Sequence, residues 1–201
     1  ERGREGTGIL TATSVDFMSP LLGATAGSST GGGGTRGAQC AAFQSLWFDS
    51  LPGTRIEQRN ISRLWRKYHA RLPGAPTDRN RRNEAEAITD LTGLQASERR
   101  VRDAAPGRTM IHLATHGFFL DEECAGSERE GDAAVGEEDV DALPADQRSP
   151  LLLSGLAFAG ANARDQAVSG EDDGILTAEE IATLDLSAVD WAVLSACQTG
   201  L

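Results

Sequence analysis

Residues 110–119 read Met110-Ile111-His112-Leu113-Ala114-Thr115-His116-Gly117-Phe118-Phe119, and residues 191–200 read Trp191-Ala192-Val193-Leu194-Ser195-Ala196-Cys197-Gln198-Thr199-Gly200. Each opens with an apolar run of strand length and closes on a reactive side chain followed closely by glycine. An apolar run without polar alternation marks a strand buried on both faces, as in the middle of a parallel sheet. Ligands and reactive groups on such sheets gather at the carboxyl edge of the strands. If the two strands are parallel neighbours, His116 and Cys197 emerge side by side.

The segments around them alternate strand and helix, which favours an α/β fold with a mostly parallel sheet. Ile9 to Phe17 reads as the first strand. Leu51-Pro52-Gly53-Thr54 is a turn, after which Ile56, Ile61, Leu64 and Trp65 recur at near-helical spacing, a helix that Pro73-Gly74 ends near Leu72. Ala85 to Leu91 is a weaker strand, and Ala96 to Ala105 a helix stopped by Pro106-Gly107. Leu151 to Ala159 is an apolar strand or hairpin arm. Thr177 precedes Glu180 by three residues, the capping-box spacing, and opens a short helix ending near Leu184. The last strand, Trp191 to Ala196, is expected to be buried.

Two stretches read as flexible loops, about 19–45 and 121–147. The first is rich in Gly, Ser and Thr, with Gly31 to Gly34 consecutive. It lacks the Gly-Lys-Ser/Thr ending of a phosphate-binding loop. The second is acidic and poor in apolar residues, so it buries too little surface to offset its ordering entropy.

With 201 residues, the chain suits a single α/β domain spanning 1–201. A formal net charge of −11 argues against nucleic acid as a directly contacted partner, because phosphate would be repelled. No apolar run approaches the roughly 20 residues of a membrane span, and the charged start is no secretory signal. Cys40, Cys124 and Cys197 form neither a metal-ligand nor a disulfide pattern, which suits a reducing, cytoplasmic setting.

The chemistry centres on His116 and Cys197. A thiol beside an imidazole exists partly as thiolate, its nucleophilic form. Gly117 lets a substrate carbonyl approach the backbone closely, and its N–H, together with that of Cys197, would hold the oxyanion of a tetrahedral intermediate. His112 and His116 stand four apart, which suits zinc on a helix. On a strand that spacing spreads them too far for one ion. No metal or other cofactor is therefore expected, and His112 reads as structural.

The runs LHLATHGFF and LSACQTG, with SPLLLSGLAFAGAN and DGILTAEEIATLDL between them, resemble the hallmark segments of bacterial CHAT domains. The resemblance extends to the turn at Leu51 to Glu57 and to LTGLQASE at Leu91 to Glu98. It implies the caspase–hemoglobinase α/β/α sandwich and a dyad with His116 as general base and Cys197 as nucleophile of a cysteine endopeptidase. Gln198 stands where Glu is more usual. The resemblance also implies further strands and helices beyond Cys197, so the C-terminal part of the domain is expected to lie in a longer parent or in a second chain.

In caspase-like relatives that cut after basic residues, acidic groups line the primary pocket near the start of the first helix and two positions before the cysteine. By that resemblance Glu57 and Ser195 fall at the pocket, Ser195 being neutral, with Asp16 a weaker candidate. The implied partners are a protein or peptide substrate and a protein activator or fused repeat region, in a bacterial defence or cell-death role. The different-class alternative is a non-catalytic CHAT-like interaction module. Intact His116, Gly117 and Cys197 favour the enzyme.

Overall fold

The computed structural model describes residues 6–20, 41–68, 87–120, 150–167 and 172–196. Most of the two expected loops, all three cysteines and the acidic segment lie outside the described residues. Four strands form a parallel sheet in the order β2-β1-β3-β7: β1 is Ile9–Val15, β2 Ile88–Gly93, β3 Met110–Leu113 and β7 Trp191–Leu194. A second, antiparallel sheet runs β4-β5-β6, from Gly117–Phe119, Ser154–Ala157 and Ile175–Thr177. The helices are α1 (Ala41–Ser45), α2 (Thr54–Tyr68), α3 (Glu98–Ala104) and α4 (Ala178–Ala182). The α/β class with a mostly parallel sheet is as the sequence implied.

Strand alternation gives the sheet two unlike faces. Leu10, Ala12, Leu91, Ile111 and Leu113 join Val101 and Ala105 in one buried apolar cluster. Thr11, Thr13 and His112, the alternate positions, are also fully buried. Ser14 has φ 50° at an irregularity where the register of β1 and β2 shifts between Thr13 and Val15. That left-handed residue turns its N–H to the Thr54 hydroxyl at the head of α2.

The local signals act as their chemistry dictates. Thr54 N–H donates to the Leu51 carbonyl across the Pro52-Gly53 turn, and the Thr54 hydroxyl donates to the same oxygen. Ser97 caps α3 by accepting from Arg100 N–H. Thr177 and Glu180 form the full capping box of α4. Gly174, at φ 81°, lies against Ala159 and Ala161, where a Cβ would meet the Ala161 nitrogen at 2.5 Å.

Several expectations are corrected. The last strand is not buried: Trp191 is 70% and Leu194 49% exposed, because among the described residues β7 pairs only with β3 and is the sheet's outer strand. Helix α2 forms as read, and of its apolar residues Ile61 and Trp65 are half-buried. Ile56, Leu64 and Tyr68 point outward, while Thr54 and Ser62 are the buried positions. Strand β2 starts three residues later than read, at Ile88, and Ala41–Ser45, at the end of the first expected loop, is helical. Residues 151–159 divide into a 3-10 turn at Pro150–Leu152 and strand β5.

Candidate active site

Strands β3 and β7 are parallel neighbours in a register that pairs Leu113 with Leu194. Ser195 N–H then donates to the Leu113 carbonyl at 2.9 Å, so pairing continues one step further. His116 stands three residues beyond Leu113, and Cys197 three beyond Leu194. Cys197 itself lies outside the described residues.

His116 is half-buried and held by backbone and ring contacts. Its backbone carbonyl accepts from Ala157 N–H at 2.9 Å, and the neighbouring Thr115 hydroxyl donates to the Ala157 carbonyl. Its ring packs against both Phe17 and Phe48, with centroids 5.3 and 5.6 Å away, the two phenyl rings being 6.0 Å from each other. Nε2 is 2.8 Å from the Asp49 backbone carbonyl. A carbonyl only accepts, so Nε2 carries the proton, and in the neutral ring the lone pair sits on Nδ1. That nitrogen is the one left for taking a proton.

The Asp49 segment has its own anchors, which sequence reasoning missed. Asn162 accepts from Phe48 N–H at 3.0 Å and donates to the Phe48 carbonyl at 2.8 Å. Its own N–H bonds the Phe17 carbonyl at 2.9 Å. Arg164 caps the end of α1 by donating to the carbonyls of Phe43, Gln44 and Leu46 at 2.8 to 2.9 Å. Asn162 closes the run quoted for the resemblance and Arg164 lies two residues beyond it, yet nothing local in the sequence tells which carbonyls they reach.

Gly117 opens β4. The pairs His116 with Ala157 and Leu120 with Leu153 are bridged by backbone hydrogen bonds, so Gly117, facing Leu156, sits at the alternate, unbridged position. In an antiparallel ladder such a residue aims its N–H away from the partner strand. The Gly117 N–H is thus turned away from β5, the condition for an oxyanion donor.

A second constellation lies under α2. Glu57, in its first turn, has Oε1 3.0 Å from His112 Nε2, and the Ser195 hydroxyl donates to the same oxygen. Burial pushes the Glu57 carboxyl up, but the hydrogen bonds from Ser195 and His112 and the attraction of His112 outweigh it, so its pKa falls below the ordinary value. Glu57 and Ser195, paired as pocket residues in the sequence reading, are therefore in contact. Asp16 is placed otherwise: its carboxylate accepts from Met18 and Ser19 N–H at 3.1 Å and shapes the turn after β1. His112, read as structural, is an unforeseen member of the Glu57 group.

No group of three or more His, Cys, Asp or Glu side chains suited to a metal occurs among the described residues. None of the described helices is long and apolar enough to cross a membrane.

A mostly parallel sheet whose carboxyl edge carries a pinned histidine, beside the strand that leads to a cysteine, is consistent with a caspase-like α/β fold. The family model for the CHAT domain matches residues 9–201, and the chain belongs to that family, which is related to cysteine peptidases. No curated protein and no solved structure matches it.

Proposed function

We propose that this chain is the catalytic part of a cysteine endopeptidase acting through a thioester on Cys197. One observation carries the reading: His116 has Nε2 committed to the Asp49 carbonyl, and it lies as far past Leu113 as Cys197 lies past the paired Leu194. In this reading His116 Nδ1 takes the thiol proton and sulfur attacks the substrate carbonyl, while the Gly117 and Cys197 N–H groups hold the oxyanion. The C–N bond then breaks, the imidazolium gives its proton to the leaving amine, and water, deprotonated by the same nitrogen, hydrolyses the thioester. Glu57 and Ser195 line the primary pocket, where the carboxylate selects a basic residue on the acyl side of the cut, with Asp16 the weaker candidate for the pocket. The setting is a larger, regulated bacterial protein of the cytoplasm, switched on by a protein activator or fused repeats.

The test compares the assembled, activated protein with its Cys197→Ala and His116→Ala forms. Both lose several orders of magnitude in peptide cleavage, because members of a catalytic unit fail together. The wild type is also labelled at Cys197 by a peptidyl electrophile. Cleavage at the wild-type rate without the Cys197 sulfur refutes the peptidase reading and leaves an interaction module.

A further inference from the structure

We infer that His112 is a positioning residue for the substrate pocket: from within the sheet it fixes Glu57 so that one carboxylate oxygen is held inward and the other is offered to a cationic side chain. The inference rests on the peptidase reading for its substrate and on geometry for the rest. His112 is fully buried on β3, in register with Thr11 on β1 and Val193 on β7. Its Nε2 bonds Glu57 Oε1, while its Nδ1 is buried with no hydrogen-bond partner among the described residues.

A histidine kept for packing alone would cost more than an apolar residue of similar volume, because a buried ring nitrogen without a partner is penalised. Its hydrogen bonding here serves one acceptor, the carboxylate of the first turn of α2. The carboxylate accepts only, so Nε2 bears the proton and the ring orientation is set by Glu57. Ser195, two residues before Cys197, donates to the same oxygen, which ties the carboxylate to the strand bearing the nucleophile. Glu57 Oε2 has no partner among the described residues, and the side chain is 38% exposed. Two inward donors on Oε1 and an open Oε2 describe a carboxylate oriented before a ligand arrives, which lowers the ordering cost of binding an Arg or Lys side chain. The two donors also favour the ionised form, as the depressed Glu57 pKa reflects.

The experiment uses the assembled, activated protein as wild type, His112→Leu and His112→Gln. The Glu57 carboxyl carbon is first titrated by 13C NMR. His112→Leu moves its midpoint upward, and His112→Gln, which keeps an N–H donor, returns it toward wild type. An unmoved midpoint in the Leu variant overturns the inference. The second readout is the labelling rate of Cys197 by peptidyl acyloxymethyl ketones carrying either Arg or Leu at the pocket position. His112→Leu lowers the Arg-over-Leu ratio about tenfold, the effect of one lost charge-assisted hydrogen bond, the Arg probe losing more than the Leu probe. A ratio that stays constant as the Glu57 midpoint moves also overturns the pocket role. Failure of both probes on the wild type sinks the peptidase reading instead, and the titration still decides whether His112 holds Glu57. Should the variants not fold, the wild-type ring decides through long-range 1H–15N correlations: a proton on Nε2 supports the inference, and a bare Nε2 refutes it.

Discussion

The two faces of the parallel sheet are built on opposite terms. One presents Leu10, Ala12, Leu91, Ile111 and Leu113 to a cluster with Val101 and Ala105. The other places Thr11, Thr13 and His112, all fully buried, on the side where α2 brings Glu57. Burial of apolar area stabilises the first directly. The second buries Ile9 as well but is organised largely by directed contacts: Thr11 to Asp90 at 2.6 Å, His112 and Ser195 to Glu57. The lesson is that the apolar face holds the domain together, and the polar face stations donors and acceptors near the residues read as pocket and nucleophile.

That division has measurable edges. Leu10→Ala, at a fully buried position of the apolar face, costs about 2–5 kcal/mol by loss of transfer energy and by the cavity left behind. Urea unfolding measures it, and a loss under about 1 kcal/mol breaks the claim that this face is close-packed.

A smaller effect comes from Glu98, a carboxylate at the head of α3 on the apolar side, with its side chain 4% exposed. Burial, with repulsion from Glu180, Asp173 and Asp172, pushes its pKa up from an ordinary 4.5 to about 7, although Arg102 bonds it at 3.0 Å. The native state then holds a proton that the unfolded chain releases at lower pH. Stability is therefore greatest below about pH 4.5 with respect to this group, and falls as pH rises toward 7, by roughly 2–3 kcal/mol, before levelling. Glu98→Gln removes that slope. Thermal melts across this range in both forms check it, and identical profiles would mean that Glu98 titrates as it does in the unfolded chain.

The smallest effect belongs to the polar face. The Thr13 hydroxyl is buried with no partner among the described residues, so Thr13→Val is neutral or stabilising by less than about 1 kcal/mol. A clear destabilisation in the same urea assay would show that the hydroxyl has a partner, and that this face is more tightly satisfied than the comparison holds.

Much of the frame was legible from local chemistry. The apolar runs at Met110 and Trp191 are strands, the Leu51 to Thr54 turn launches a helix, and Thr177 with Glu180 makes the capping box. Each signal is complete within a few residues. The exposure of Trp191 was not legible, because an apolar strand looks the same in the middle of a sheet and at its outer position. The inner face of α2 was not legible for a related reason. Periodicity finds the apolar stripe, but the sheet beneath carries His112 and Thr11, so Ser62 and Thr54 are buried while Ile56 and Leu64 are exposed.

By itself the sequence determined the kinds of element, their order, the family resemblance and the residues capable of the chemistry, since side-chain identity, caps and hydrophobic period are local properties. Only the tertiary structure decided which of those residues meet. Glu57 reaches His112 across 55 positions and Ser195 across 138, and the Asp49 carbonyl that fixes the His116 tautomer is presented by a segment that Asn162 holds from 114 positions away. Such contacts are set by strand register and by the packing of helix on sheet, and these depend on the whole chain closing together rather than on any short run within it.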